Sequence, residues 1–213
     1  MAINPHGEKM MVVYAHADDA EIWSGGTIAR WNSLGGTSKI LCFSTDKIRI
    51  EEAKAGASVL GSDISVIEKD PTKTGETIAL VEAQIREFNP GILITHYYQD
   101  SHPEHRNVFE IVSNAIIQNR INAGNPKYLL SANSYNEICL DGVFEPNVYI
   151  DITDNFDIKL KAIEQHKSQP FEMWKKLATD QNTLLGSRIS GTKFVEGFVQ
   201  VPILGKLSIL TLF

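Results

Sequence analysis

The sequence predicts an α/β protein, a three-layer α/β/α arrangement around a mostly parallel sheet. Short apolar runs alternate with helix-period segments four times between residues 9 and 120, the pattern of strands joined by crossover helices. The chain has 213 residues, 43% of them hydrophobic, enough to bury a full core without staples. Such a chain is expected to take the Rossmann-like strand order 3-2-1-4-5, with small β elements added near the C-terminus.

Each element has a local reason. "KMMVVYA" (9–15) is a continuous apolar run, as expected of a strand covered on both faces. "AEIWSGGTIARWNSLG" (20–35) places Ile22, Ile28, Trp31 and Leu34 at near-helical spacing and stops at Gly35-Gly36. Its Gly25-Gly26-Thr27 lacks the spacing and lysine of a phosphate loop, so close packing of helix on sheet is the expectation. "SKILCFS" (38–44) is the second strand, "IEEAKAGASVLG" (50–61) a helix ended by Gly61, and "ISVIE" (64–68) the third strand. "TGETIALVEAQIREFNP" (74–90) is a helix closed by Asn89-Pro90, and "GILITH" (91–96) is the fourth strand. "SHPEHRNVFEIVSNAIIQNR" (101–120) is a helix with proline in its first turn, where the missing N–H does no harm. Beyond it, "KYLLSANSY" (127–135), "PNVYIDI" (146–152) and "FVEGFVQVPIL" (194–204) read as strands and "DNFDIKLKAIEQHKSQ" (154–169) as a helix. The polar stretch 170–193 reads as a mobile loop. With no repeat or linker, residues 1–213 are expected to form one domain.

Composition narrows the function classes. A net charge of −6 argues against a nucleic-acid partner. Cys42 and Cys139 stand far apart in apolar surroundings and read as two buried free thiols. The N-terminus "MAINPHGEKMM" lacks the pattern of a secretory signal, and no run reaches the ~18 apolar residues of a membrane span. A cytoplasmic protein is the default expectation. The apolar tail "LSILTLF" reads as a last buried strand, or else as a contact in a homo-oligomer.

Two short windows hold most of the chemistry. "VVYAHADDAEIWSGGT" (12–27) puts His16, Asp18, Asp19 and Glu21 directly after the first strand. "THYYQDSHPEHRN" (95–107) puts His96, Asp100, His102, Glu104, His105 and Arg106 after the fourth. In the predicted order strands one and four are neighbours whose outgoing loops leave a ligand crevice at the carboxyl edge, so the two windows should face each other. Alone, each window has a plainer reading: Asp18-Asp19 as a helix cap with first-turn acids, Ser101 as a cap beside surface histidines. Together they suit a divalent ion held by histidine and carboxylate with an open coordination position. His16 and Asp19 are close enough in a turn to chelate one ion, and His102 and His105 share one face of a helix start. Asp18 is then spare for proton transfer. His96 reads as a strand-end residue with its ring hydrogen-bonded, and Trp23 and Trp31 as core or rim. Asp100 is placed to orient His102 or keep it charged.

"AHADDAEIWSGGTIARW" (15–31) resembles the AHPDDE…GGT signature of the PIG-L/LmbE-type zinc N-deacetylases, and "DSHPEH" (100–105) resembles their HPDH signature. "IRIEEAKAGASVLG" (48–61) is similar to the family's Arg-x-x-Glu helix, and "KLKAIEQHKSQ" (159–169) to its late His-x-Ser-Gln segment. The resemblance implies a Rossmann-like fold and hydrolysis of an acetylated amine, typically of an N-acetylglucosamine-type sugar. It implies His16, Asp19 and His105 as metal ligands, Asp18 as general base, and His102 as the group that stabilises the oxyanion and helps protonate the amine. Arg49 and His166 would lie near the substrate. Ala17 stands where the family has proline, a change in stiffness alone. Glu104 replaces an aspartate and is expected to support the ligands from behind. Zinc is the implied cofactor, though iron or another divalent ion suits the same ligands.

The expected activity is therefore metal-dependent N-deacetylation of an amino-sugar substrate. The alternatives are an amidase on another N-acyl compound, such as a thiol conjugate or antibiotic intermediate, and a metal- or sugar-binding protein without turnover. A dinucleotide binder is disfavoured because the first strand leads into acids where a pyrophosphate would be repelled.

Overall fold

The computed structural model describes residues 2–3, 5–209 and 211–212. In chain order the elements are β1 (Ala2–Ile3), β2 (Lys9–Tyr14), α1 (Asp19–Ser33), β3 (Thr37–Phe43), α2 (Lys47–Leu60), β4 (Asp63–Ile67), α3 (Gly75–Phe88), β5 (Ile92–Thr95) and α4 (Pro103–Ala123). There follow β6 (Tyr128–Ala132), β7 (Ile138–Cys139), β8 (Gly142–Val143), β9 (Val148–Asp151), α5 (Phe156–Ile163), α6 (Phe171–Ser187), β10 (Val195–Val201) and β11 (Thr211–Leu212). Seven strands form the central sheet in the order β4-β3-β2-β5-β6-β10-β9. The first five are parallel, which is the expected 3-2-1-4-5 core. The added pair continues the same sheet, with β10 antiparallel to both β6 and β9.

Alternation along β2 explains its unbroken apolar run. Met10, Val12 and Tyr14 pack with α1, α2, α5 and α6 on one face. Met11, Val13 and Ala15 pack with α3 and α4 on the other. Both faces are covered, so neither parity can be polar.

Helix ends follow their sequence signals. Asp46 caps α2 by accepting from the backbone N–H groups of Ile48 and Arg49, and Gly61 ends it at φ 69°, a left-handed turn that suits glycine. Thr74 and Thr77 form a reciprocal capping box on α3. The Gly25-Gly26-Thr27 stretch is a packing device, as expected: a Cβ on Gly26 would fall 2.6 Å from Ile152 Cδ1. Here the Gly26 and Thr27 N–H groups donate to the two carboxylate oxygens of Glu196 on β10, at 3.0 and 2.7 Å.

Three expectations are corrected. Residues 170–193 are mostly the helix α6, whose inner stripe is Phe171, Trp174, Ala178, Gln181, Asn182 and Leu185. Two amides in the buried stripe hide its period from a hydropathy reading, and they are inside because they bond: Gln181 Nε2 to the Ser134 carbonyl and Asn182 Nδ2 to the Val195 carbonyl. The helix expected over 154–169 ends at Ile163, and the late strand ends at Val201. In the tail, Thr211–Leu212 pairs in parallel with Ala2–Ile3 as a separate two-stranded sheet. Within the tail, Leu207 and Ile209 are 62% and 86% exposed, against the expected burial of a last strand, and the side chains of 210–213 lie outside the described residues. Cys42 and Cys139 are free and buried.

Candidate active site

β2 and β5 are neighbours, and the segments leaving their carboxyl ends meet. The first runs through His16 to α1; the second runs through Asp100 and His102 to α4. Pro103 opens α4 at its first turn, and the His102 Nδ1 accepts the Glu104 N–H at 3.3 Å as the cap. The helix cap is thus a histidine, where Ser101 would serve if the window were only structural. At the other helix Asp18 occupies the cap position, but its side chain makes no cap bond. It takes the Arg49 guanidinium of α2 instead, at 2.7 Å.

The inner donors converge. His16 Nδ1 lies 3.0 Å from Asp19 Oδ2. His105 Nε2 lies 3.3 Å from His16 Nδ1 and 3.6 Å from Asp19 Oδ1. The outer atoms are all held from behind. Asp100 Oδ2 takes His105 Nδ1 at 2.9 Å, and Glu104 Oε2 takes His16 Nε2 at 2.7 Å. Trp23 Nε1 donates to Asp19 Oδ1 at 3.0 Å from one helical turn further along α1. Among the described residues, two groupings have donor atoms all within 4.8 Å of one another: His16, His102 and His105, and Asp19, His96 and His105.

Charge follows from this crowding. Burial resists a charged His16 ring, but Asp19 and Glu104 outweigh it and push the imidazole up to about 9. Asp19 is buried, yet His105, His16 and His96 hold it well below the usual carboxylate range. Burial and the adjacent Asp19 raise Asp18 against the pull of Arg49. His102 is pushed down by burial and by His105 and His16. Its Nδ1 accepts a backbone N–H, so the neutral ring carries its proton on Nε2.

His96 is wholly buried, stacked on His105 at 3.7 Å between ring centroids. Its Nε2 accepts the Ala15 N–H at 2.9 Å, and burial together with His105 lowers it to about 4. Asp100 corrects a detail of the sequence reading: its carboxylate grips the His105 ring and the His102 backbone N–H, not the His102 imidazole. His166 is 1% exposed and faces Glu21, Nε2 to Oε2 3.3 Å. The two motifs beyond the main signatures interlock: Glu52 of α2 accepts the Ser168 N–H and hydroxyl at 2.7 and 2.6 Å. Sequence reasoning missed Trp23 as an orienting donor, although its i, i+4 spacing from Asp19 was visible. It also missed Tyr135, whose ring stacks 5.7 Å from that of His105 and which no local pattern singles out.

Fold and site define a Rossmann-like α/β protein with an imidazole–carboxylate centre at the carboxyl edge of its sheet. Residues 11–116 match the family described as PIG-L: GlcNAc-PI de-N-acetylase, and the chain belongs to that family. It is 27% identical over 224 residues to the diacetylchitobiose deacetylase of Thermococcus kodakarensis, covering 92% of this chain and 84% of that protein. The N,N'-diacetylchitobiose deacetylase from Pyrococcus horikoshii shares its fold, with a TM-score of 0.77, 23% identity, and 96% and 88% of the two chains covered. So does GalB, the 4-carboxy-2-hydroxymuconate hydratase of Pseudomonas putida KT2440, with a TM-score of 0.79, 18% identity, and 95% and 99% covered. One fold thus carries two chemistries, and function has to be argued from the site. Among the described residues no helix is long and apolar enough to cross a membrane.

Proposed function

We propose that this chain is a metal-dependent N-deacetylase acting on an N-acetylated amino sugar or a similar N-acyl amine. The observation that carries the reading is the convergence of His16 Nδ1, Asp19 and His105 Nε2, with each ring's far nitrogen occupied by a carboxylate. Two imidazoles and one carboxylate, oriented from behind, fit zinc or iron(II) with a position left open. His16, Asp19 and His105 would hold the ion. His96 is left out of the set because its Nε2 already has a backbone partner.

A divalent ion there supplies a Lewis acid for the amide carbonyl and an acidified water. Asp18 lies next to a ligand without being one, and its raised basicity suits a group that takes a proton from that water. Arg49 fixes the orientation of the Asp18 carboxylate and stands where a sugar hydroxyl would approach. As a neutral ring, His102 would donate its Nε2–H to the developing oxyanion. The proton held by Asp18 then goes to the departing amine.

The test is a panel of N-acetylated amines, including N-acetylglucosamine and N,N'-diacetylchitobiose, incubated with protein loaded with zinc or iron(II) and scored by free amine. Release that a chelator abolishes and added metal restores is the expected result. No amine from any member, with metal bound stoichiometrically, would leave a binding protein or a different reaction.

A further inference from the structure

Resting on the deacetylase reading, we infer that Glu21 and His166 form a buried positioning pair for Asp18, and that His166 acts through that carboxylate without touching substrate.

Glu21 lies three residues after Asp18, on the same face of the first turn of α1. Its carboxylate is 1% exposed, and neither oxygen has a hydrogen-bond partner beyond the 3.3 Å approach of His166 Nε2. Both His166 ring nitrogens are equally without other partners. A buried carboxylate and a buried imidazole with nothing else to bond are costly to keep unless each sustains the other's charge. The surroundings are shaped to keep them together. A Cβ on Gly56 of α2 would sit 2.4 Å from Glu21 Oε1 and 3.2 Å from His166 Nε2, so the helix is notched at that point. One turn earlier on α2, Glu52 clamps Ser168 by two bonds and fixes the segment that carries His166. Two turns before Gly56, on the same face, Arg49 reaches Asp18. One face of α2 therefore delivers a guanidinium to Asp18 and space for an imidazole beside it. Arg49 fixes one Asp18 oxygen by a direct bond, and the Glu21–His166 pair, one helical turn from Asp18 at Glu21, acts on the same carboxylate through that turn and the charge of the His166 ring.

The experiment is a double-mutant cycle on the metal-loaded enzyme with N,N'-diacetylchitobiose or whichever N-acetylated amine the panel finds best. Glu21→Gln keeps shape and removes charge; His166→Gln is the second variant should the first fail to fold. Each is expected to lower kcat about 10-fold or more in protein that remains folded, while KM and bound metal stay near wild type. In an Asp18→Asn background either change should cost less than about twofold, because the group it positions is already disabled. Equal losses in both backgrounds, or activity that falls only in step with bound metal, would overturn the pair's role. A wild-type enzyme that releases no amine would instead refute the deacetylase reading, and the two failures are separate.

Discussion

Helix α1 passes two buried charged clusters, and they are built on opposite principles. Midway along it, Glu196 receives the Gly26 and Thr27 N–H groups and the Lys159 ammonium at 2.7 Å, and Lys159 also bonds Asn182 Oδ1 at 2.9 Å. Lys159, Glu196 and Asn182 all find partners there. At the N-terminal end, two imidazole nitrogens face each other at 3.3 Å, and Glu21, His96 and His166 keep ring or carboxylate atoms without hydrogen bonds. The first cluster is a closed network whose charges cancel inside the protein. The second is open: its donors converge on a shared point, and several of its buried polar atoms have no hydrogen-bond partner. A satisfied cluster of this kind reads as architecture and an unsatisfied one as chemistry.

Removing a member should therefore have different consequences at the two ends. The largest effect is expected at the closed cluster. Lys159→Ala leaves the Glu196 carboxylate buried without its cation, and breaking a buried pair in this way costs about 3–5 kcal/mol. Burial pushes the Lys159 ammonium down and Glu196 holds it charged, so the two halves depend on each other. Urea unfolding should show the midpoint falling with the slope unchanged. If the loss is below about 1 kcal/mol, the contrast between the clusters fails.

At the open end the expected losses are functional. Asp18→Asn should keep its metal and fold while turnover falls by roughly 10²-fold, about 2.7 kcal/mol of barrier. His102→Ala and His105→Ala separate the two roles on α4. His105→Ala should lose metal on gel filtration, whereas His102→Ala should keep it and lose rate. Equal metal loss in both would move His102 into the ligand set, a grouping the donor distances also allow.

Much of this was legible in the sequence because parallel strands announce themselves. The apolar runs within 9–15 and 91–96 read as strands covered on both faces, and the order 3-2-1-4-5 then brings their exits together. What local patterns could not show was where polar groups are satisfied in the interior. The stripe of α6 carries Gln181 and Asn182, so it lost its period on paper, although each amide bonds a backbone carbonyl. Asp100 seemed to belong to His102 by proximity in sequence, but the turn into α4 rotates its carboxylate onto His105. Glu21 stood in plain view among the acids of the first window; its partner His166 lies 145 positions away, a pairing only tertiary structure reveals.

The smallest expected effect sharpens the comparison at the rim of the open cluster. Glu104 stands where the family signature has aspartate, and it reaches the outer nitrogen of His16 at 2.7 Å. Its side chain is 44% exposed, so water competes for the bond and screens its charge. Supporting carboxylates of this kind typically contribute about 10- to 100-fold in metal affinity, and the exposure places Glu104 at the low end. Glu104→Ala should therefore weaken metal binding by about tenfold, measured by competition with a chromogenic chelator, and leave the fold intact. The direction follows from the ring: with Nε2 no longer tied to a carboxylate, His16 is a poorer donor at Nδ1 and less firmly aimed. Asp100→Ala, the same change at a wholly buried support, should cost distinctly more, because no water can replace the bond to His105. Equal losses at the two positions would mean that burial does not set the worth of these supports, and the distinction between a satisfied interior and an open site would lose its energetic basis.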